Sequence, residues 1–194
     1  MIDPDVYKPN NYSYELNPEM IELLGKEFEI DKVIGEFAEA IKGKSADEAE
    51  AVGKKFFEEF GEKWIRKTHQ LGEEYPDRTY EVLKMAIDKT EGHLKFALLP
   101  QRTIEIAYLS TQDISILPIL ENNPQRLVYR MPECGTYQSL KEKCGDDVAN
   151  ALPCQHSCLT ACKVLHQDLD IDAKIEMQAS TPKDGYCQFA AFRA

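Results

Sequence analysis

Six cysteines lie between Cys134 and Cys187, and none precedes Cys134. Three of them and a histidine recur at every fourth residue: Cys154, Cys158, Cys162 and His166. A helical period of 3.6 residues places such a series on one slowly drifting stripe. A thiolate is a nucleophile and a metal ligand, whereas a neutral thiol packs as a small hydrophobe. Neighbours four apart, such as Cys154 and Cys158, can share one metal ion. The whole helical series cannot. The Cα atoms of Cys154 and Cys162 would lie about 12 Å apart on one helix, while a Zn–S bond is about 2.3 Å. A mononuclear site would need Cys134, Cys144 or Cys187 as well. No Cys-x2-Cys zinc or iron–sulfur spacing occurs. The metal candidates are Cys134, Cys154, Cys158 and Cys187, with zinc or an iron–sulfur cluster as the group held.

Cys154 follows Pro153 and is expected in the first turn of a helix. Unpaired N–H groups and the positive dipole end there would lower its pKa, making it the most acidic and partly exposed thiol. Cys134 follows a strand and is placed to line a pocket between sheet and helices. Cys134, Cys154 and Cys187 are expected to converge there, since short connections bring consecutive elements together. Cys158, Cys162, Leu165 and Leu169 also fit an ordinary buried helix face, and Cys187 alternates with Phe189 on a strand. His156 is a candidate for ligand binding and, with His166, for general-base duty, although its two-residue offset from Cys154 aims it at another side of the helix. Arg126 and Arg130 can hold a substrate carboxylate bidentately.

The formal charge of −11 argues against nucleic acid as partner. No apolar run is long enough to span a bilayer, and the start, Met1-Ile2-Asp3-Pro4-Asp5, does not read as a signal peptide. The expectation is a cytoplasmic protein, a small-molecule ligand or substrate, and a possible homo-oligomer. In a reducing compartment clustered cysteines point to thiols, metal ligands or catalysis rather than disulfides.

The flanking sequence predicts one domain of the α+β class over residues 1–194: N-terminal helices, an antiparallel sheet with helices packed on one face, and a closing C-terminal hairpin. Residues 1–17 read as an extended arm, with Tyr12 and Tyr14 docking on the body. Residues 18–90 form a helical part, and 91–194 the cysteine-rich α+β part. Helices are expected from about Pro18 and Asp31. A third begins at the capping box Ser45-Ala46-Asp47-Glu48 and carries Val52, Phe56, Phe60 and Trp64 inward. A fourth is capped by Asp77. Leu94–Leu98 and Thr103–Leu109 read as strands, Ile114–Ile119 as an edge or irregular segment, and Arg126–Met131 as a firmer strand. Short helices over 135–143 and 146–152 and one after Pro153 follow. Ala173–Ala179 and Tyr186–Phe192 then pair around the Asp184-Gly185 turn.

One stretch resembles a known family. The strand Arg126–Met131 leads through Pro132-Glu133 to Cys134, Leu152-Pro153-Cys154 opens a helix, Asp170–Ile175 begins a strand, and Gly185-Tyr186-Cys187-Gln188-Phe189 closes the domain. This is similar to the L-2-amino-thiazoline-4-carboxylic acid hydrolase-like group, a sister family of it, and more distantly small-ligand-binding domains of the 4-vinyl-reductase type. The likeness spans roughly residues 55–194. It departs in Ile175–Ala179, which has no cysteine where members often carry one.

The resemblance implies a hydrolase opening a small C–N/C–S ring, with Cys154 or Cys134 as the nucleophile or orienting the attacking water. The surplus cysteines suggest the other reading: a cysteine-ligated metal or iron–sulfur site, or a small-ligand sensor without catalysis.

Overall fold

A computed structural model describes residues 16–194. All but the last two residues of the expected N-terminal arm, Tyr12 and Tyr14 included, lie outside that range. The chain order is α1 (Pro18–Glu27), α2 (Ile30–Ile41), α3 (Ala46–Glu74), α4 (Arg78–Lys89), α5 (Lys95–Thr111), β1 (Ile119–Asn122), β2 (Arg126–Met131), α6 (Gly135–Cys144), α7 (Asp146–Asn150), α8 (Gln155–Asp168), β3 (Ala173–Ala179), α9 (Thr181–Asp184) and β4 (Cys187–Arg193). The four strands form one antiparallel sheet in the order β1-β2-β4-β3. This is the expected α+β class, with β3 and β4 paired as the closing hairpin. Its turn contains the short α9 and ends on Gly185, whose φ of 79° suits a residue without a Cβ.

The helix starts follow their sequence signals. The Asn17 side chain accepts from the Glu19 and Met20 N–H groups ahead of Pro18. Ser45 and Glu48 form the reciprocal capping box that opens α3. Asp77 caps α4 through the Tyr80 N–H. Along α3, Phe57 and Trp64 are buried, while Val52, Phe56 and Phe60 are half-buried against the core. The aromatic stripe is therefore core-facing, with Phe57 rather than Phe56 at its deepest point.

One segment differs from expectation. Leu94–Leu98 and Thr103–Leu109 are not strands; all but Leu94 belong to the single helix α5. Its residues Gln101–Tyr108 are all buried. A helix enclosed on every side shows no apolar–polar period of 3.6, and its β-branched Thr103, Ile104 and Ile106 imitate strand composition. Two polar members of α5, Gln101 and Arg102, find partners inside the protein. Arg102 pairs with Asp77 at 3.2 Å and donates to the Gly72 carbonyl, and Gln101 donates to Glu105 at 2.7 Å. Ile114–Ile119 is irregular until Ile119 enters β1.

The core is a helical layer on one sheet face. Leu127, Tyr129 and Met131 of β2, with Cys187, Phe189 and Ala191 of β4, are buried against that layer. Tyr129 stacks on Phe189 at 5.4 Å. The alternate residues Arg126, Arg130 and Gln188 occupy the other face, as a period of two requires. Helices α3 and α8 pack most intimately where Gly61 meets the backbone of Ser157. A Cβ on residue 61 would sit 2.3 Å from the Ser157 carbonyl oxygen.

Two predictions follow from this packing. Gly61→Ala should destabilise the fold by about 1–3 kcal/mol, since two backbones must part to admit one methyl. A denaturant titration giving less than about 0.5 kcal/mol would show that α3 and α8 do not touch there. The second concerns Glu105, whose carboxyl burial raises to a pKa of about 7, against a lesser opposing pull from Gln101. Between the ordinary value of 4.5 and 7 the folded state holds a proton that the unfolded state has lost. Stability should fall across that window as pH rises, by about 3 kcal/mol in total. Glu105→Gln should flatten the profile, and an unchanged pH dependence in the variant would remove Glu105 as its source.

Candidate functional site

Cys134, Cys154, Cys158 and Cys187 all line one enclosed cavity of about 30 Å³. The convergence expected of Cys134, Cys154 and Cys187 is thus present, and Cys158 joins them. Three elements deliver the four sulfurs. Cys134 is the N-cap of α6 and Cys154 the N-cap of α8. Cys158 lies one turn into α8, and Cys187 opens β4. The rest of the wall is largely apolar, including Phe60, Trp64, Met131, Leu152 and Phe189. No histidine, carboxylate, lysine or arginine lines it.

The chain enters α8 through an unusual turn. Leu152 is buried with a φ of 56°, a region costly for a side chain with a Cβ. Pro153 then fixes the approach to Cys154. At the start of α6, Gln112 holds the backbone beside Cys134: its carbonyl accepts from the Gly135 N–H at 2.9 Å and its amide donates to the Thr136 hydroxyl at 3.2 Å. At the start of β4, the Thr181 hydroxyl lies 3.1 Å from the Cys187 sulfur.

The expected acidity of Cys154 is not found. It does sit at a helix N-terminus, but its side chain makes no capping hydrogen bond and the residue is only 5% exposed. Burial pushes its pKa well above the ordinary value, and Cys134, Cys158 and Cys187 nearby push it further. Desolvation of the thiolate outweighs a fractional dipole charge. Burial also raises Cys158, followed in effect by Cys134. Cys134 reaches about 11. Burial raises it, while the donors of Tyr137 and Thr136 at the α6 N-terminus oppose the rise without forming a cap to the neutral thiol.

A second, open cleft of about 810 Å³ lies on the other side of Cys134. Its wall is about half polar and includes Asp113, Arg130, Glu133, Gln138, Thr181, Asp184 and Tyr186. Arg130 is held in place there. Its Nε and Nη2 donate to the Gln188 carbonyl at 3.2 and 2.9 Å, and its guanidinium lies 4.0 Å from the centre of the Tyr186 ring. Cys134 alone of the six cysteines lines both spaces.

Other candidates fall elsewhere. Arg126 pairs with Glu121 at 3.1 Å and lies over Phe192, lining neither space. His156 also lines neither. Cys162 is a packing residue whose sulfur meets the Tyr129 hydroxyl at 2.8 Å. His166 is buried, with Nδ1 2.8 Å from the Cys162 carbonyl, which fixes the proton on Nδ1. All six cysteines are thiols, not disulfides. Among the described residues no three His, Cys, Asp or Glu side chains stand together so as to hold a metal ion. The four thiols line one cavity without forming a ready set of ligands, and the zinc or iron–sulfur expectation finds no fitted site. Sequence reasoning missed Gln112, Trp64, Tyr108, Thr181 and Tyr186. Only the proximity of Tyr186 to Cys187 in the chain could have signalled any of these.

A scan against models of protein families finds no match, and a search of curated proteins finds none either. Within the described residues no helix is long and apolar enough to cross a membrane.

Thiol labelling tests the geometry. Native protein treated with a small alkylating agent should modify Cys134 well before Cys154, with the Cys134 rate still climbing past pH 9 as its thiolate fraction grows. Peptide mass mapping that finds Cys154 labelled first would restore the acidic helix-terminal thiol and overturn this arrangement.

Proposed function

We propose that the protein is a hydrolase-like enzyme acting on a small carboxylate-bearing C–N/C–S compound, of the 2-amino-thiazoline ring type. The observation that carries this reading is the position of Cys134 between the open cleft holding Arg130 and the enclosed thiol cavity. The substrate carboxylate pairs with Arg130, whose guanidinium is already fixed by Gln188 and Tyr186 and loses little freedom on binding. Cys134 then faces the amidine-like ring carbon, either as the nucleophile or as the group that orients a water. A thiol with a pKa near 11 needs a base. The carboxylates on the cleft wall, Asp113, Glu133 and Asp184, are the candidates. Cys154 is too deeply buried to meet a substrate in the cleft and forms part of the inner wall.

A second reading is ligand binding without catalysis. It is favoured by the enclosed cavity, whose wall lacks any acid or base other than thiols and a phenol.

Turnover of 2-amino-thiazoline-4-carboxylate, followed by release of a free thiol, distinguishes the two. Cys134→Ser should reduce kcat at least about a hundredfold, the scale of losing a nucleophile or its oriented water. Arg130→Gln should act mainly on KM, and Arg126→Gln should change neither. Saturable binding with no turnover would leave the second reading in place, and no binding would remove both.

A further inference from the structure

The enclosed cavity has features that hydrolysis in the outer cleft does not use. Three thiols beyond Cys134 line it, so that Cys134 shares one wall with Cys154 and Cys158. Two buried donors also line it. The Trp64 indole N–H and the Tyr108 hydroxyl belong to residues each 4% exposed; the indole N–H has no hydrogen-bond partner, and the hydroxyl faces the Cys158 sulfur and the Tyr129 hydroxyl. Tyr108 lies close enough to Cys158 to favour its thiolate. A buried donor left unpaired costs about 1–3 kcal/mol, which marks a place for a hydrogen-bond acceptor. The space admits roughly two water-sized atoms. Its apolar wall and lack of cationic side chains disfavour a fully charged oxyanion. A small, polarisable acceptor attached to one of the thiols fits best.

We propose that this cavity holds a sulfane sulfur as a cysteine persulfide, loaded on Cys134 from a small persulfide donor and passed inward to Cys154 or Cys158. The inference rests on Cys134 being the thiol reached from the cleft, as in the reading above, but not on hydrolysis. In the loading step the Cys134 sulfur attacks the outer sulfur of the donor R–S–SH. The new S–S bond forms as the donor's S–S bond breaks. The donor sulfur leaves with that electron pair and takes a proton, giving R–SH and Cys134–S–SH. The inward step is the same exchange between Cys134–S–SH and the Cys154 or Cys158 thiol. Neither step needs an outside oxidant. Trp64 and Tyr108 donate to the terminal sulfur and stabilise its anion.

The chain contains a single tryptophan, so indole fluorescence reports on the cavity directly. Reduced full-length protein is treated with glutathione persulfide, freed of excess reagent and analysed by peptide mass mapping. The expected result is one added sulfur per chain within the set Cys134, Cys154 and Cys158. Trp64 emission should change on loading and recover when cyanide removes the sulfur as thiocyanate. Cys134→Ser should reduce loading at least tenfold, while a Cys154→Ser, Cys158→Ser double variant should load and keep the sulfur on Cys134. Tyr108→Phe should load but lose sulfur several-fold faster, and circular dichroism checks that each variant is folded. Loading confined to Cys144, undiminished loading in Cys134→Ser, or an unaltered Trp64 signal would overturn the proposal. Alkylation of Cys134 without any sulfur uptake would also overturn it, yet would leave the hydrolase reading standing.

Discussion

The contact between Gly61 and the Ser157 backbone sets the geometry on which the cavity depends. It brings the axes of α3 and α8 closer than side chains would allow, because a Cβ would overlap a carbonyl oxygen. Trp64 lies three residues beyond Gly61 on α3, and Cys158 one residue beyond Ser157 on α8. The close approach therefore seats the indole beside the thiols. The same crossing holds α8 against the sheet face that carries Tyr129 and Phe189. Gly53, whose Cβ would meet Pro153 at 2.9 Å, repeats the device two residues before α8 begins. Two glycines on α3 thus position Pro153, one residue before Cys154, and Ser157, three residues after it.

The thiols show how a local rule can be right in form and lose in magnitude. A helix N-terminus does receive Cys154, as the sequence pattern suggested, and another receives Cys134, which that pattern marks only as following a strand. A helix dipole offers about half a unit of charge, whereas removing a thiolate from water carries a larger penalty. The outcome turns on depth. Cys134 keeps partial exposure and donors that moderate its rise, while Cys154 is enclosed among other thiols. The less deeply enclosed of the two thiols is consequently not Cys154, after the proline, but Cys134, which follows a strand.

Much of the fold was legible in the residues. Ser45 and Asp77 cap the helices they announce, and the alternation in Arg126–Met131 and Tyr186–Phe192 gives the central strand pair. The misread region, Lys95–Thr111, failed for a definite reason. Sequence periodicity detects a boundary between buried and exposed faces, and α5 has no such boundary through Gln101–Tyr108. At the site, the identity of the cysteines was readable and their meeting was foreseeable from short connections. The contributions of Trp64, Tyr108 and Gln112 were not, because they depend on how α3 and α5 pack against elements distant in the chain.

The sheet order has a consequence for how the protein is made. β4 comes after every other described element, yet it lies between β2 and β3. No neighbouring pair except β1 and β2 can form before it is synthesised. Until then Cys134, Cys154 and Cys158 emerge from the ribosome without the strand that closes their cavity, and non-local pairing of this kind is slow. The nascent chain thus passes through a stage in which its thiols are open to oxidation and mispairing. Synthesis of β4 ends that exposure, because the strand brings Cys187 and Phe189 to complete the cavity wall.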